Sequence, residues 1–388
     1  MRRTIITLMA GLVLLSIAAA ASAQQQSDLD ALRATVKQLS DQLKAVTEKL
    51  QELEAKQAAP AIPAPVVVAV PTPAPAAPAK ENWYDKLAIT GYWQSRYEAR
   101  EDTFDEFIMR RMYLNFVGNW NPNFKTLLTL SRIPAGSDPN IEFEAAQVFW
   151  RFANDYSIMF GQVFNNFGYD TWESSAKRLP FDRWAAGEGV ASRPGRPGIR
   201  GLYWRGAADR GMYLTRHARG SEPTVIAGIV NGNYSLGEND NNKVLSLDLR
   251  FNRPGNMQYG ISSIYGDYTD TTPGGPVTQP RRAVDLYFHT EPCPWGFQAE
   301  YLKGQLFGND VEGFYGQVAH NGGGKGTPYV RYEQYNQNED TSGDTYTSLR
   351  LGYAYQMDKR NEFTFEIQDA EAGNIDYSQL GAQWQFAF

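Results

Sequence analysis

The stretch from Tyr377 to Phe388 constrains this chain more than any other. In steps of two, Leu380, Ala382, Trp384, Phe386 and Phe388 form one face, and Gln379, Gly381, Gln383, Gln385 and Ala387 the other. A period of two predicts a strand, not a helix. The first face is apolar and aromatic and carries no charge; the second is small and amide-bearing. A soluble sandwich would need a second sheet over the aromatic face. In a transmembrane barrel lipid covers that face and a water-filled lumen meets the other.

The same alternation recurs upstream. In Val244–Phe251 the leucines share one face, with Ser246, Asp248 and Arg250 opposite. In Tyr346–Tyr355, Leu349, Leu351, Tyr353 and Tyr355 oppose Ser348 and Arg350. In Glu362–Gln368, Phe363, Phe365 and Ile367 oppose Glu362, Thr364 and Glu366. This pattern predicts that Asp248, Arg250, Arg350, Glu362 and Glu366 face a lumen. Short turn signals at 119–123, 154–155, 252–256, 291–294 and 358–361 alternate with longer polar stretches at 165–197, 232–242, 268–281 and 337–345. Short turns at one rim and long loops at the other are the expected asymmetry of an outer-membrane barrel.

From residue 81 onward the chain divides into 17 segments, of which 198–206 and 211–218 are the doubtful pair. Termini on the same side demand an even count. Merging the pair predicts a 16-stranded antiparallel barrel, with 18 the next possibility, and makes 165–197 the outer loop after the fifth strand.

Composition agrees. A formal charge of -6 argues against a nucleic-acid partner. Aromatics make up 13% of the chain, including 22 Tyr and 9 Trp, which suits aromatic girdles. After the N-terminus no apolar run approaches the ~18–20 residues of a transmembrane helix. The single cysteine, Cys293, sits in a Pro-flanked turn and excludes an intramolecular disulfide.

The barrel region is preceded by three other segments. Residues 1–23 read as a signal peptide: Arg2 and Arg3, an apolar core, then Ala21-Ser22-Ala23 as the cleavage site. Residues 24–57 carry a heptad, with Leu29, Val36, Leu43 and Leu50 at a and Leu32, Leu39, Val46 and Leu53 at d. One such helix exposes its seam, so a partner helix is expected. Residues 58–80 are Pro/Ala-rich. At ~3.1 Å per residue they form a spacer of up to about 70 Å. The coiled coil is therefore expected in the periplasm, away from the barrel.

Several short motifs resemble the phosphate-selective porin O and P family. They are Ile108-Met109-Arg110-Arg111-Met112, Gly161-Gln162, Glu173-Ser174-Ser175, Phe181-Asp182-Arg183, Arg193-Pro194-Gly195-Arg196-Pro197-Gly198 and Gly228–Gly232. An aromatic C-terminal residue is also similar to the assembly signal of bacterial outer-membrane proteins. The resemblance implies a homotrimeric outer-membrane channel whose third loop folds inward. It also implies the barrel-assembly machinery, outer-membrane lipid and lipopolysaccharide as partners. Arg111, in the second strand, is expected to face the lumen.

The residues support the inward loop independently. Phe164, Phe167, Tyr169, Trp172 and Phe181 make 165–197 too apolar to stand in water. Lys177, Arg178, Arg183, Arg193 and Arg196 would place cations at the constriction, against Asp170, Glu173, Asp182 and Glu188. Two readings stand for them: attraction of anions, or pairing with those neighbouring carboxylates.

No nucleophile–base constellation, metal-ligand spacing or cofactor motif emerges, so no enzymatic activity and no cofactor are expected. His217, His289 and His320 are isolated, and Gly322–Thr327 has the wrong order for a phosphate loop. The expected function is a water-filled channel for passive diffusion of small hydrophilic solutes, with anions such as phosphate the class that the resemblance implies. The alternative is an outer-membrane anchor whose coiled coil tethers periplasmic partners or cell wall.

Overall fold

From Thr345 to Gln356 the sequence alternation becomes an alternation of burial. Tyr346, Ser348, Arg350 and Ala354 are enclosed while Leu349, Tyr353 and Tyr355 are exposed. The same inversion runs through Asn361–Ala372, where Glu366 is 3% exposed and Phe365 52%. Charge inside and oil outside is the reverse of a water-soluble domain. It is the arrangement that a hydrocarbon environment selects, because lipid solvates the apolar face and every backbone polar group is paired within the sheet.

The computed structural model describes residues 82–388, except 102–104, 133–140, 191–198, 203–207, 233–240, 255, 271–276, 307, 340–344 and 374. The predicted signal peptide, coiled coil and linker lie outside the described residues, as do Arg193 and Arg196.

A 3-10 turn at Trp83–Lys86 leads into β1 (Leu87–Arg100) and β2 (Glu106–Asn121). Then follow β3 (Phe124–Arg132), β4 (Glu142–Ala153) and β5 (Tyr156–Phe164). After the long loop come β6 (Ala208–Arg216), β7 (Thr224–Val230), β8 (Val244–Arg253), β9 (Met257–Asp270) and β10 (Val277–Thr290). The last six strands are β11 (Trp295–Leu306), β12 (Asn309–His320), β13 (Gly326–Asn336), β14 (Thr345–Gln356), β15 (Asn361–Ala372) and β16 (Ile375–Ala387). Each pairs antiparallel with its neighbours, and β16 pairs with β1 to close a 16-stranded barrel. Among the described residues no helix is long and apolar enough to cross a membrane; this barrel presents strands instead.

The sequence prediction holds in its main lines. The 165–197 stretch follows the fifth strand, and of the doubtful pair 211–218 falls in β6. The polar stretch 268–281 is corrected. β9 runs to Asp270 and β10 starts at Val277, with Thr269 opposite Thr278 and their hydroxyls 2.9 Å apart. Threonines favour a pleated surface whether or not lipid faces them, so polarity alone mistook a strand extension for a loop.

A β-bulge decides which charges enter the lumen. Gln94 of β1 faces Arg111, but Ser95 faces Met109, so Arg110 is the extra residue on β2. Strict alternation would send Arg110 outward. The extra residue re-aims the strand, and both Arg110 and Arg111 turn inward.

Candidate functional site

The loop between β5 and β6 enters the barrel and packs across it. Phe167, Phe181 and Trp184 are 1–2% exposed. Trp184, Ala185, Ala186, Ile199 and Leu202 join the lumen-side Leu302, Leu306, Val311, Tyr315, Tyr335 and Tyr346 in one apolar cluster. The apolar loop has folded inward, as its composition requires, and part of the lumen wall is apolar to receive it.

Polar contacts then pin the loop to the wall. The Gly168 N–H donates to Ser262 Oγ of β9 at 2.8 Å, and the Asp170 N–H to Glu300 of β11. Phe181 N–H donates to Glu366 Oε2 of β15 at 3.2 Å, and Ala185 N–H to Glu333 Oε2 of β13 at 3.2 Å. Arg350 of β14 donates to the Asp182 carbonyl at 3.0 Å and to Glu333 at 2.8 Å. Gln94 of β1 and Gln385 of β16 hold the carbonyls of Ser175 and Ala176 at 3.2 and 3.0 Å. Each loop peptide group buried against the wall needs a partner, and lumen-facing side chains supply it.

Two loop carboxylates, Asp182 and Glu188, are bound by arginines of the first two strands. Arg96 of β1 donates to Asp182 Oδ2 at 2.9 Å and to the Phe181 carbonyl at 3.0 Å. Arg110 reaches Asp182 at 2.8 Å and Glu188 at 3.2 Å; Arg111 reaches both Glu188 oxygens at 3.0 Å. Burial favours the neutral acid at Asp182, but Arg96, Arg110 and Arg111 outweigh it and hold the carboxyl well below the usual carboxylate range. Glu188 is likewise lowered by Arg111 and Arg110 against the effect of burial.

Asp170, Asp182 and Glu188 are committed to arginines of the wall rather than to the loop's own cations, while Glu173 accepts from Tyr169 within the loop. Arg183 is held by the carbonyls of Asp170 and Glu173, both at 3.0 Å. Arg178 is 5% exposed and none of its guanidinium nitrogens has a hydrogen-bond partner. It is therefore a buried cation and does not line an open passage. Burial and the neighbouring Arg183 lower its pKa to about 10, so it stays charged at neutral pH. Lys177 is exposed on the side of the loop towards the short turns.

Arg111, Asp248, Arg250, Arg350, Glu362 and Glu366 lie on the inner face of the barrel, and most are occupied. Arg111, Arg350 and Glu366 anchor the loop, and Asp248 accepts from Tyr287 at 2.8 Å and from Arg250 at 2.7 Å. Arg250 also lies 4.2 Å over the Trp172 ring. Glu362 is half-buried on the inner face. The glutamines of β16 were expected to meet water; Gln383 instead accepts from Arg96, and Gln385 holds the loop. Among the described residues no group of His, Cys, Asp and Glu is arranged to hold a metal ion. His217 meets Ser157, His289 stacks on Tyr169 and His320 lies against Trp295.

Sequence reasoning did not select Arg96, Arg110, Arg331, Glu333 or Glu300, which do much of the anchoring. Their sign was an ionic residue on a lumen-facing position. Only the loop's path reveals their partners.

No protein-family model matches the chain, and no curated protein matches its sequence. Solved structures do match. An anion-selective porin from Comamonas acidovorans superposes with a TM-score of 0.54 at 11% identity, over 78% of this chain and 99% of that one. A mutant of the Rh. blastica porin gives 0.54 at 12%, over 78% and 100%. The trimer form of OmpT, an outer-membrane protein of Vibrio cholerae, gives 0.52 at 11%, over 78% and 99%. The fold is the closed antiparallel barrel that these outer-membrane proteins share. At these identities the likeness concerns the backbone architecture: sixteen strands spanning almost the whole of each neighbour.

Proposed function

We propose that the protein is a porin of the bacterial outer membrane, a channel for passive diffusion of small hydrophilic solutes. The observation that carries this is the inverted barrel with a long loop folded into its lumen. Exposed outward residues such as Leu245, Leu286, Phe365 and Leu380 suit lipid, and the ionic interior suits water and solutes.

Within that reading we favour anions. Arg183 places a cation on the inward loop held by backbone carbonyls and not by a carboxylate. That supports the resemblance to the phosphate-selective family. A homotrimer is the oligomer favoured by that resemblance, and one structural neighbour is a trimer.

Purified protein in planar bilayers tests the reading. Discrete conductance steps, with a reversal potential in a salt gradient that favours anions, are the expected result. Absence of conductance from a folded oligomer of measured mass would overturn the channel, and a cation-selective reversal potential would overturn the anion preference.

A further inference from the structure

Between the inward loop and the short turns lies a cavity of about 730 Å³. Its volume is within the ~300–1,000 Å³ of small-molecule sites. Tyr169 and Trp172 form its aromatic side, edge to face with centroids 4.9 Å apart, and His289 stacks on Tyr169 at 4.3 Å.

Five side chains on this cavity each carry a buried polar atom that the protein leaves without a partner. They are Trp172 Nε1, Glu173 Oε2, His289 Nδ1, Gln298 Nε2 and Gln317 Oε1. A buried polar group left without a hydrogen bond is costly, and a ligand that supplies the partner removes that cost. The set contains N–H donors and oxygen acceptors, mixed on one cavity. Glu173 Oε1 already accepts from Tyr169 at 3.3 Å, so only its second oxygen is free. The terminal torsions of the amides and carboxylate are broad and soft, so a ligand in the cavity can draw these groups towards it.

The charges here do not favour an anion. Glu173 and Glu291 oppose Lys177 and Arg253, and the Arg253 guanidinium is already engaged by the Tyr259 hydroxyl at 3.1 and 3.2 Å. Burial and then the neighbouring Asp170 push Glu173 up to about 7, so this wall is only partly charged at neutral pH. A ligand suited to such a surface has no net charge. It both donates and accepts hydrogen bonds, and it has a C–H face to lay against an aromatic ring.

We propose that this cavity binds a neutral, hydroxyl-rich solute of mono- or disaccharide size, held on its way through the channel. This rests on the channel reading and adds a solute class to it.

Single-channel currents of the full-length protein, titrated with maltose on the short-turn side, test the proposal. The control is poly(ethylene glycol) of similar mass. Maltose should lower the current saturably, beyond its effect on bulk conductivity, and poly(ethylene glycol) should not. Gln298→Ala and Trp172→Phe should each raise the half-saturating concentration about tenfold, with folding checked by circular dichroism. Equal, non-saturating decreases with both solutes would overturn the proposal, as would saturation by inorganic phosphate and not by maltose. If no current is seen at all, the channel reading fails by itself. Tryptophan fluorescence of the detergent-solubilised protein then decides the binding site. A saturable maltose response lost in Trp172→Phe supports it, and no response overturns it.

Discussion

Arg331 of β13 and Asp170 of the inward loop form a fully enclosed ion pair, with both Arg331 Nη atoms 3.3 Å from Asp170 Oδ1. The Arg331 guanidinium also lies 3.9 Å over the Tyr315 ring. Asp170 Oδ2 accepts the Trp184 N–H at 3.1 Å, so the same carboxylate ties two parts of the loop together and to the wall.

Removing one partner of such a pair strands the other charge, at a cost of about 3–5 kcal/mol. Asp170→Ala is therefore expected to loosen the loop while the hydrogen-bonded barrel persists. Single-channel recording should show larger, noisier steps. Unchanged conductance from a correctly folded variant would show that Asp170 does not control the loop.

Acid should release the loop only at low pH. Asp182 and Glu188 have pKa values depressed in the folded protein. Their contribution is therefore complete above the ordinary carboxylate range of ~4, declines as pH falls below it, and is lost through the depressed folded values. Conductance recorded between pH 7 and pH 2 should stay flat to about pH 4 and change below it. A transition near pH 6 would contradict this assignment.

Neutralising Arg183, which is held by backbone carbonyls and not by a carboxylate, should weaken anion preference. A unit charge ~4 Å from a permeating ion in a water-like medium is worth about 1 kcal/mol, or about fivefold in permeability ratio. Arg183→Gln should approach that change in the reversal potential. Arg178→Gln, whose charge is buried, should relieve repulsion within the loop, and its melting temperature should rise or hold. A reversal potential unmoved by Arg183→Gln would remove Arg183 from the selectivity region.

The seam between β1 and β16 should be sensitive at Gly91. Gly91 and Phe388 exchange two backbone hydrogen bonds of 3.0 Å, and an added Cβ at Gly91 would come within 2.8 Å of the Phe388 ring. Gly91→Val and deletion of Phe388 are expected to reduce the yield of folded barrel. Conductance of the molecules that do fold should be unchanged. Normal yields from both variants would place closure of the barrel elsewhere.

Deletion of residues 24–80 should spare conductance if the barrel alone forms the channel. If those residues tether the barrel to cell wall, the same deletion should abolish cell-wall co-sedimentation, and unchanged co-sedimentation would exclude the tether.

The barrel was legible because alternation is a local property. Leu380 and Gln379 need only their place on one strand to be assigned to opposite faces. The inward loop was legible for a similar reason: Phe167, Tyr169 and Phe181 cannot all remain in water. The constriction charges were less so. Arg178 and Arg183 are near Asp182 in sequence, yet Asp182 is claimed by Arg96 and Arg110 from strands 72–86 residues away. The role of Gly381 was equally hidden. It reads as a small lumen residue, and the structure shows the Phe181 ring packed against it, where any Cβ would intrude.

The sequence by itself determined a barrel of alternating strands, the face most of their residues present and the loop that folds inward. These follow from periodicity and from the free energy of transferring side chains between water and lipid. Only the tertiary structure decided which charges meet. A single extra residue at Arg110 re-aims β2, and closure of β16 on β1 brings Gln385 beside Gln94 at 2.8 Å. Such pairings depend on register and on the path of the loop across the lumen. Electrostatic contacts act over a few ångströms in space, and sequence separation does not constrain that distance once a barrel has closed.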